Sequence, residues 1–185
     1  METYVYAALL RGINAGGNNI IKMVELKRIF EEMDFSNIKT YIQTGNVIFN
    51  DIEADKTKIT DKIETAISKK LNNTVTALVL SKPEIAAVIH DKPAGFGDDK
   101  DNYKYDIIFL MKQLGIKEAR AAFDPREGVD QIYEGGNVLY ISRAKKHLTK
   151  SRLSKIVGSE IYPKITIRNW VTTEKIYELI QKNIL

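Results

Sequence analysis

The chain of 185 residues contains no cysteine, which excludes disulfide staples, thiolate nucleophiles and every cysteine-containing zinc site. That absence suits a reducing compartment, and a cytoplasmic protein is expected. Histidine is nearly absent too. His90 and His147 are far apart and start neither an HxxxH nor an HExxH arrangement, so no metal site is expected. No apolar run approaches the roughly 18 residues of a membrane helix, and METYVYAALLRG puts no basic segment ahead of its apolar stretch. No membrane partner is expected. What remains, 44% hydrophobic and 28% charged residues, is enough to bury a core without staples or metal.

Charge is modest in sum and uneven in place. Residues 1–91 hold 11 Lys and Arg against 12 Asp and Glu, whereas residues 92–185 hold 17 against 12. The net +4 therefore resides in the second half, an asymmetry that suits either an anionic partner or the lysine-rich solvated face common in small soluble proteins. Within it, residues 143–155 carry Arg143, Lys145, Lys146, His147, Lys150, Arg152 and Lys155 with no acid.

Hydrophobic spacing shows the same order of elements twice. In residues 1–91, a strand at Tyr4–Leu10 leads to a helix at Met23–Asp34. Strands at Ile38–Gln43 and Asn46–Asn50 then flank Thr44-Gly45, and a helix at Asp55–Leu71 precedes a strand at Val75–Leu80. After a short helix at Ser81–His90 and a linker at Asp91–Asn102, residues 92–185 repeat the order: a strand at Lys104–Met111, a helix at Ile116–Phe123, a hairpin around Gly135-Gly136, a helix at Thr149–Val157 and a strand at Ile165–Trp170. A last helix is expected at Glu174–Leu185. The hairpin segments Gly45–Phe49 and Gly136–Tyr140 share Gly-Asn-Val. The fold class is thus α+β, two tandem ferredoxin-like βαββαβ units with antiparallel sheets, the first at 1–91 and the second at 92–185.

The first unit has an addition that the second lacks, the segment Arg11-Gly-Ile-Asn-Ala-Gly-Gly-Asn-Asn19 after its opening strand. In a βαββαβ order, the loop leaving strand one and the hairpin between strands two and three emerge at one end of the sheet. Arg11, Asn14, Gly16, Gly17 and Asn18 are therefore expected near Gln43, Thr44 and Asn46. Successive glycines and a following helix N-terminus suit a phosphate or carboxylate, while the spacing matches no standard nucleotide motif. The other reading is that Asn14 and Asn18 hydrogen-bond their own turn. By the same topology, Lys146, His147, Lys150 and Arg152 are expected near Arg168, Asn169 and Trp170. There Trp170 would stack on a base or sugar, or else pack in the core.

The runs Leu9-Leu-Arg-Gly-Ile-Asn14 with Gly16-Gly17 and Met23, Thr40-Tyr-Ile-Gln-Thr-Gly-Asn-Val47, and Arg168-Asn-Trp170 resemble a family of bacterial proteins known only as a domain of unknown function. The chain departs from that pattern with Thr44 where serine is usual and Val171 where asparagine is usual. The resemblance implies the tandem ferredoxin-like architecture and no activity. Three functions stay open. One is a module binding a phosphate-bearing ligand, a nucleotide or nucleic acid. A second is an enzyme acting on a small anionic substrate, with Arg11 and Arg168 orienting it, although no nucleophile or base declares itself. The third is a structural or assembly protein with no ligand. No cofactor and no catalytic residue is named by any motif.

Overall fold

The computed structural model describes residues 3–14, 19–111 and 113–183. The chain divides into two compact units, the first running to Ala86 and including Lys175 onward, the second comprising Ala87–Glu174. Each contains one four-stranded sheet in which every pairing is antiparallel.

In the first unit, β1 (Tyr4–Arg11), β2 (Ser36–Tyr41), β3 (Asn46–Asp51) and β4 (Thr76–Ser81) lie in the order β2-β3-β1-β4. α1 (Met23–Glu32) and α2 (Lys56–Leu71) are the crossovers. Alternation along the strands turns Tyr6, Ala8, Leu10, Val47, Phe49, Ala77 and Val79 to one face. There they meet Leu26 and Phe30 of α1 and Ile59, Ile63 and Ile67 of α2 in a single core. The four-residue spacing of the three isoleucines is what makes α2 amphipathic. Asp55 caps that helix by accepting from the Thr57 amide at 2.8 Å. Asn72 ends it in a left-handed conformation.

In the second unit, β5 (Tyr103–Leu110), β6 (Asp130–Glu134), β7 (Val138–Ala144) and β8 (Ile165–Asn169) repeat the order as β6-β7-β5-β8. Its core gathers Ile108, Leu110, Leu139, Ile141 and Ile165 from the sheet with Ala119, Phe123, Leu153 and Ile156 above it. α4 (Ile116–Ala121) provides the first crossover. In both sheets the last strand runs straight into a helix, β4 into α3 (Lys82–His90) and β8 into α5 (Trp170–Gln181). Among the described residues, no helix is long and apolar enough to cross a membrane.

Four expectations need correction. The helix read at Thr149–Val157 is a pair of 3-10 turns, Lys145–Lys150 and Leu153–Gly158. Lys146 and Lys150 stand four apart as like charges, which disfavours an α-helix, and the buried pair Leu153 and Ile156 has the three-residue period of a 3-10 turn. The first hairpin is joined by four residues, because Tyr41 pairs with Asn46; Ile42 and Gly45 both take positive φ. The second turns one residue later than expected, the Gly135 amide donating to the Val138 carbonyl at 2.8 Å. Finally, Trp170 opens α5 instead of ending β8.

Candidate functional site

The end of β1 and the β2–β3 hairpin emerge together, as the topology requires. The Leu10 amide donates to the Gly45 carbonyl at 2.8 Å, and the Asn14 side-chain amide reaches the Gln43 carbonyl at 2.8 Å. Asn14 is a clamp. Its Oδ1 accepts from the Ile21 amide at 2.8 Å, and its Nδ2 donates to the Ile21 carbonyl at 3.0 Å as well as to Gln43. Asn19 adds a second tie, donating to the Gly12 carbonyl at 2.6 Å and accepting from Asn73 at 2.9 Å. Asn46 is fully buried and donates to the Tyr41 carbonyl at 3.1 Å and to Thr44 Oγ1 at 3.0 Å. The donors of Asn14 and Asn46 are thus spent on the loop and hairpin themselves. Gly16, Gly17 and Asn18 lie outside the described residues. Arg11 is half-buried beside Thr76 of β4, and Gln43 and Thr44 are exposed at the hairpin.

Arg168, Asn169 and Trp170 each have a structural task. Arg168 is buried, its Nη1 donating to Thr166 Oγ1 at 3.0 Å and to the Ile167 carbonyl at 2.9 Å; burial pulls its pKa down to about 10. Asn169 caps α5 through the Thr172 amide at 2.7 Å. Trp170 is 3% exposed and stands edge-on to Phe96, with centroids 5.3 Å apart. Gly97, at φ +88°, leaves the indole its space, since a Cβ there would run into it. Trp170 is therefore closed to an external base. Strand alternation turns Ile165 and Ile167 to the side on which Leu153 and Ile156 of the second 3-10 turn pack, and turns Arg168, opposite Ile107, to the other.

The basic run itself divides in two. Arg143 is paired with Asp106, Lys145 donates to the Lys100 carbonyl at 2.6 Å, and Arg152 is paired with Asp124 at 2.9 Å. Lys146, His147 and Lys150 are exposed, and no carboxylate among the described residues pairs with them. His147 and Lys150 line an open depression with Arg126, Glu127, Gly128 and Val129. The Arg126 guanidinium donates to the Lys150 carbonyl at 3.3 Å, which draws the two loops together. Beneath them Asp130 is 6% exposed and accepts from the Arg126 amide at 2.9 Å and the Arg152 amide at 3.0 Å. Burial alone would raise its pKa, but those two amides hold it below the ordinary aspartate value.

Arg126 escaped the sequence reading. It sits in the loop Asp124-Pro125-Arg126-Glu127-Gly128, roughly twenty residues before the lysines. Asp130, at the head of β6, was the available signal, because a carboxylate that starts a strand often ties neighbouring loop amides. A row of tyrosines on β5 and β6 was also missed, although Tyr103 and Tyr105, and Gln131 and Tyr133, have the two-residue spacing that puts side chains on one face.

A solved structure of a conserved bacterial protein from Streptococcus pneumoniae resembles this chain with a TM-score of 0.85 at 25% sequence identity, covering 97% of this chain and 99% of that one. No curated protein matches. Residues 1–140 match the model of a family described as a protein of unknown function.

Proposed function

The chain belongs to that family, DUF1697, and from its own geometry we propose that it binds a phosphate-bearing ligand, a nucleotide or nucleic acid, on the basic rim of its second unit. One observation carries the reading. Among the described residues, Lys146, His147 and Lys150 are exposed with no carboxylate pairing them, and the depression that His147 and Lys150 share with Arg126 carries one acid, Glu127. Exposed cations held close together repel one another and keep a counterion atmosphere, and a phosphate chain that replaces those ions gains the entropy of their release.

The loop after β1 takes a different part. Asn14 ties Ile21 to the hairpin at Gln43, Asn19 joins Gly12 to Asn73, and Asn46 holds the hairpin to itself, so these three side chains serve the first unit as folding devices. The test is a titration of the intact protein against a fluorescein-labelled single-stranded oligonucleotide of about ten residues. Binding at about 50 mM salt should weaken by an order of magnitude or more at about 200 mM, as phosphate contacts do. No change in anisotropy at the lower salt would refute the proposal.

A further inference from the structure

β5, β7 and β6 carry Tyr105, Ser142 and Gln131 in one row across the second sheet, since Tyr105 pairs with Ser142 and Ser142 with Gln131. The pleat puts Tyr103, two residues before Tyr105, and Tyr133, two after Gln131, on that same face. Together with Pro93, Phe96 and Asp99 they line a cleft of about 270 Å³.

The cleft is built of flat rings with polar edges. The rings of Tyr103 and Tyr105 lie with centroids 6.1 Å apart, and Phe96 braces Tyr105 edge-on at 4.9 Å. Tyr133 is 42% exposed and donates to Gln131 Oε1 at 3.3 Å. Ser142 Oγ donates to the same oxygen at 2.9 Å, so the side-chain N–H groups of Gln131 are left for a ligand. Asp99, already accepting from Asn102, gives the rim a carboxylate. A carboxylate here repels a phosphate but accepts readily from a ring amine or amide N–H.

This face adjoins the basic rim through the chain. Gln131 lines the aromatic cleft, while Gly128 and Val129, just before it, line the cationic depression. Ala144 pairs with Tyr103 and runs directly into Lys145–Lys150. Arg126 precedes Gln131 by five residues and Lys146 follows Ala144 by two, so the strands that carry the planar rings, the donor and the acceptor lead into the cations at their ends, an arrangement that matches the two ends of one ligand.

We propose that the Tyr103–Tyr105–Tyr133 face stacks an unpaired nucleobase of the ligand whose phosphates the basic rim attracts. The proposal rests on the phosphate reading and narrows it. Duplexes, whose bases are already stacked on one another, are excluded, and the ligand is either a free nucleotide or a single strand.

The experiment uses the same labelled single strand with the intact protein and with the variants Tyr133→Ala, Tyr133→Phe and Tyr103→Ala. Competitors are unlabelled strand, an abasic oligomer of equal length, the matching duplex and a nucleoside monophosphate. Tyr133→Ala should lose about tenfold in affinity, the usual effect of removing one stacked ring, with an unchanged dependence on salt. Tyr133→Phe keeps the ring, so binding should stay within about twofold and show that the sheet is intact. The abasic oligomer and the duplex should displace the strand poorly. Displacement by the monophosphate at equal base concentration would make the ligand a free nucleotide, and its failure a strand; either result upholds the stacking face. If Tyr133→Ala and Tyr103→Ala both bind as the intact protein does, or the abasic oligomer competes as well as the strand, the stacking face is refuted and the phosphate reading survives. Absence of any binding at low salt removes both.

Discussion

Among single side chains, Arg168 and Asp130 show how charge is spent inside the second unit. Arg168 is buried with hydrogen bonds to Thr166 and Ile167, so removing it opens a cavity and strands a buried hydroxyl. Arg168→Ala should cost about 2 kcal/mol, a fall of roughly 6 °C in melting temperature for a chain of this size, and leave oligonucleotide binding unchanged. Calorimetry and the anisotropy titration read the two separately. Asp130 acts through its charge. Its folded pKa lies below the unfolded one, so the stability it contributes is present above about pH 4 and is lost as pH falls through the lowered folded value. Urea midpoints measured between about pH 5 and pH 3 should fall steeply for the intact protein. For Asp130→Asn they should begin lower and change less. Neither role was legible beforehand. The Arg-Asn-Trp run reads equally well as ligand contacts or as a buried base, a helix cap and a core ring, and only strand alternation from Ile165 decides which face Arg168 takes.

Among elements, the β2–β3 hairpin depends on a glycine. Gly45 has φ +77°, and a Cβ there would come within 2.8 Å of both Ile13 Cδ1 and Leu10 Cβ. Gly45→Ala therefore meets backbone strain and overpacking together and should destabilise by about 2 kcal/mol or more, seen as a lower denaturant midpoint with an unchanged slope. The hairpin was readable from the two strand patterns around Thr44-Gly45, but its four-residue connection was not, since it rests on positive φ at Ile42, which no propensity suggests. The second unit shows the opposite limit. Residues 145–158 have enough apolar positions for a short helix, yet the dense lysines and the Leu153–Ile156 spacing leave only 3-10 turns. Those turns hold their cations outward, and the basic rim exists because an α-helix did not form there.

For the whole molecule, the order of elements was readable because each sheet needs the same alternation of strand and crossover, and the Gly-Asn-Val hairpins mark where the order returns. The candidate site was readable only in part: the lysines declare themselves, whereas Arg126 and the tyrosine row come together only when β5, β6 and β7 are in register. The motifs that stand out in the sequence, around Asn14, Asn46 and Arg168, turn inward to hold loops, caps and cores. The most direct test replaces Lys146 and Lys150 by alanine together and compares the salt dependence of oligonucleotide affinity with that of the intact protein and of a Lys27→Ala, Lys58→Ala control in the first unit. The phosphate-binding account predicts that the logarithmic slope shrinks by about two for the first pair and stays unchanged for the control. Equal slopes for all three proteins would contradict it.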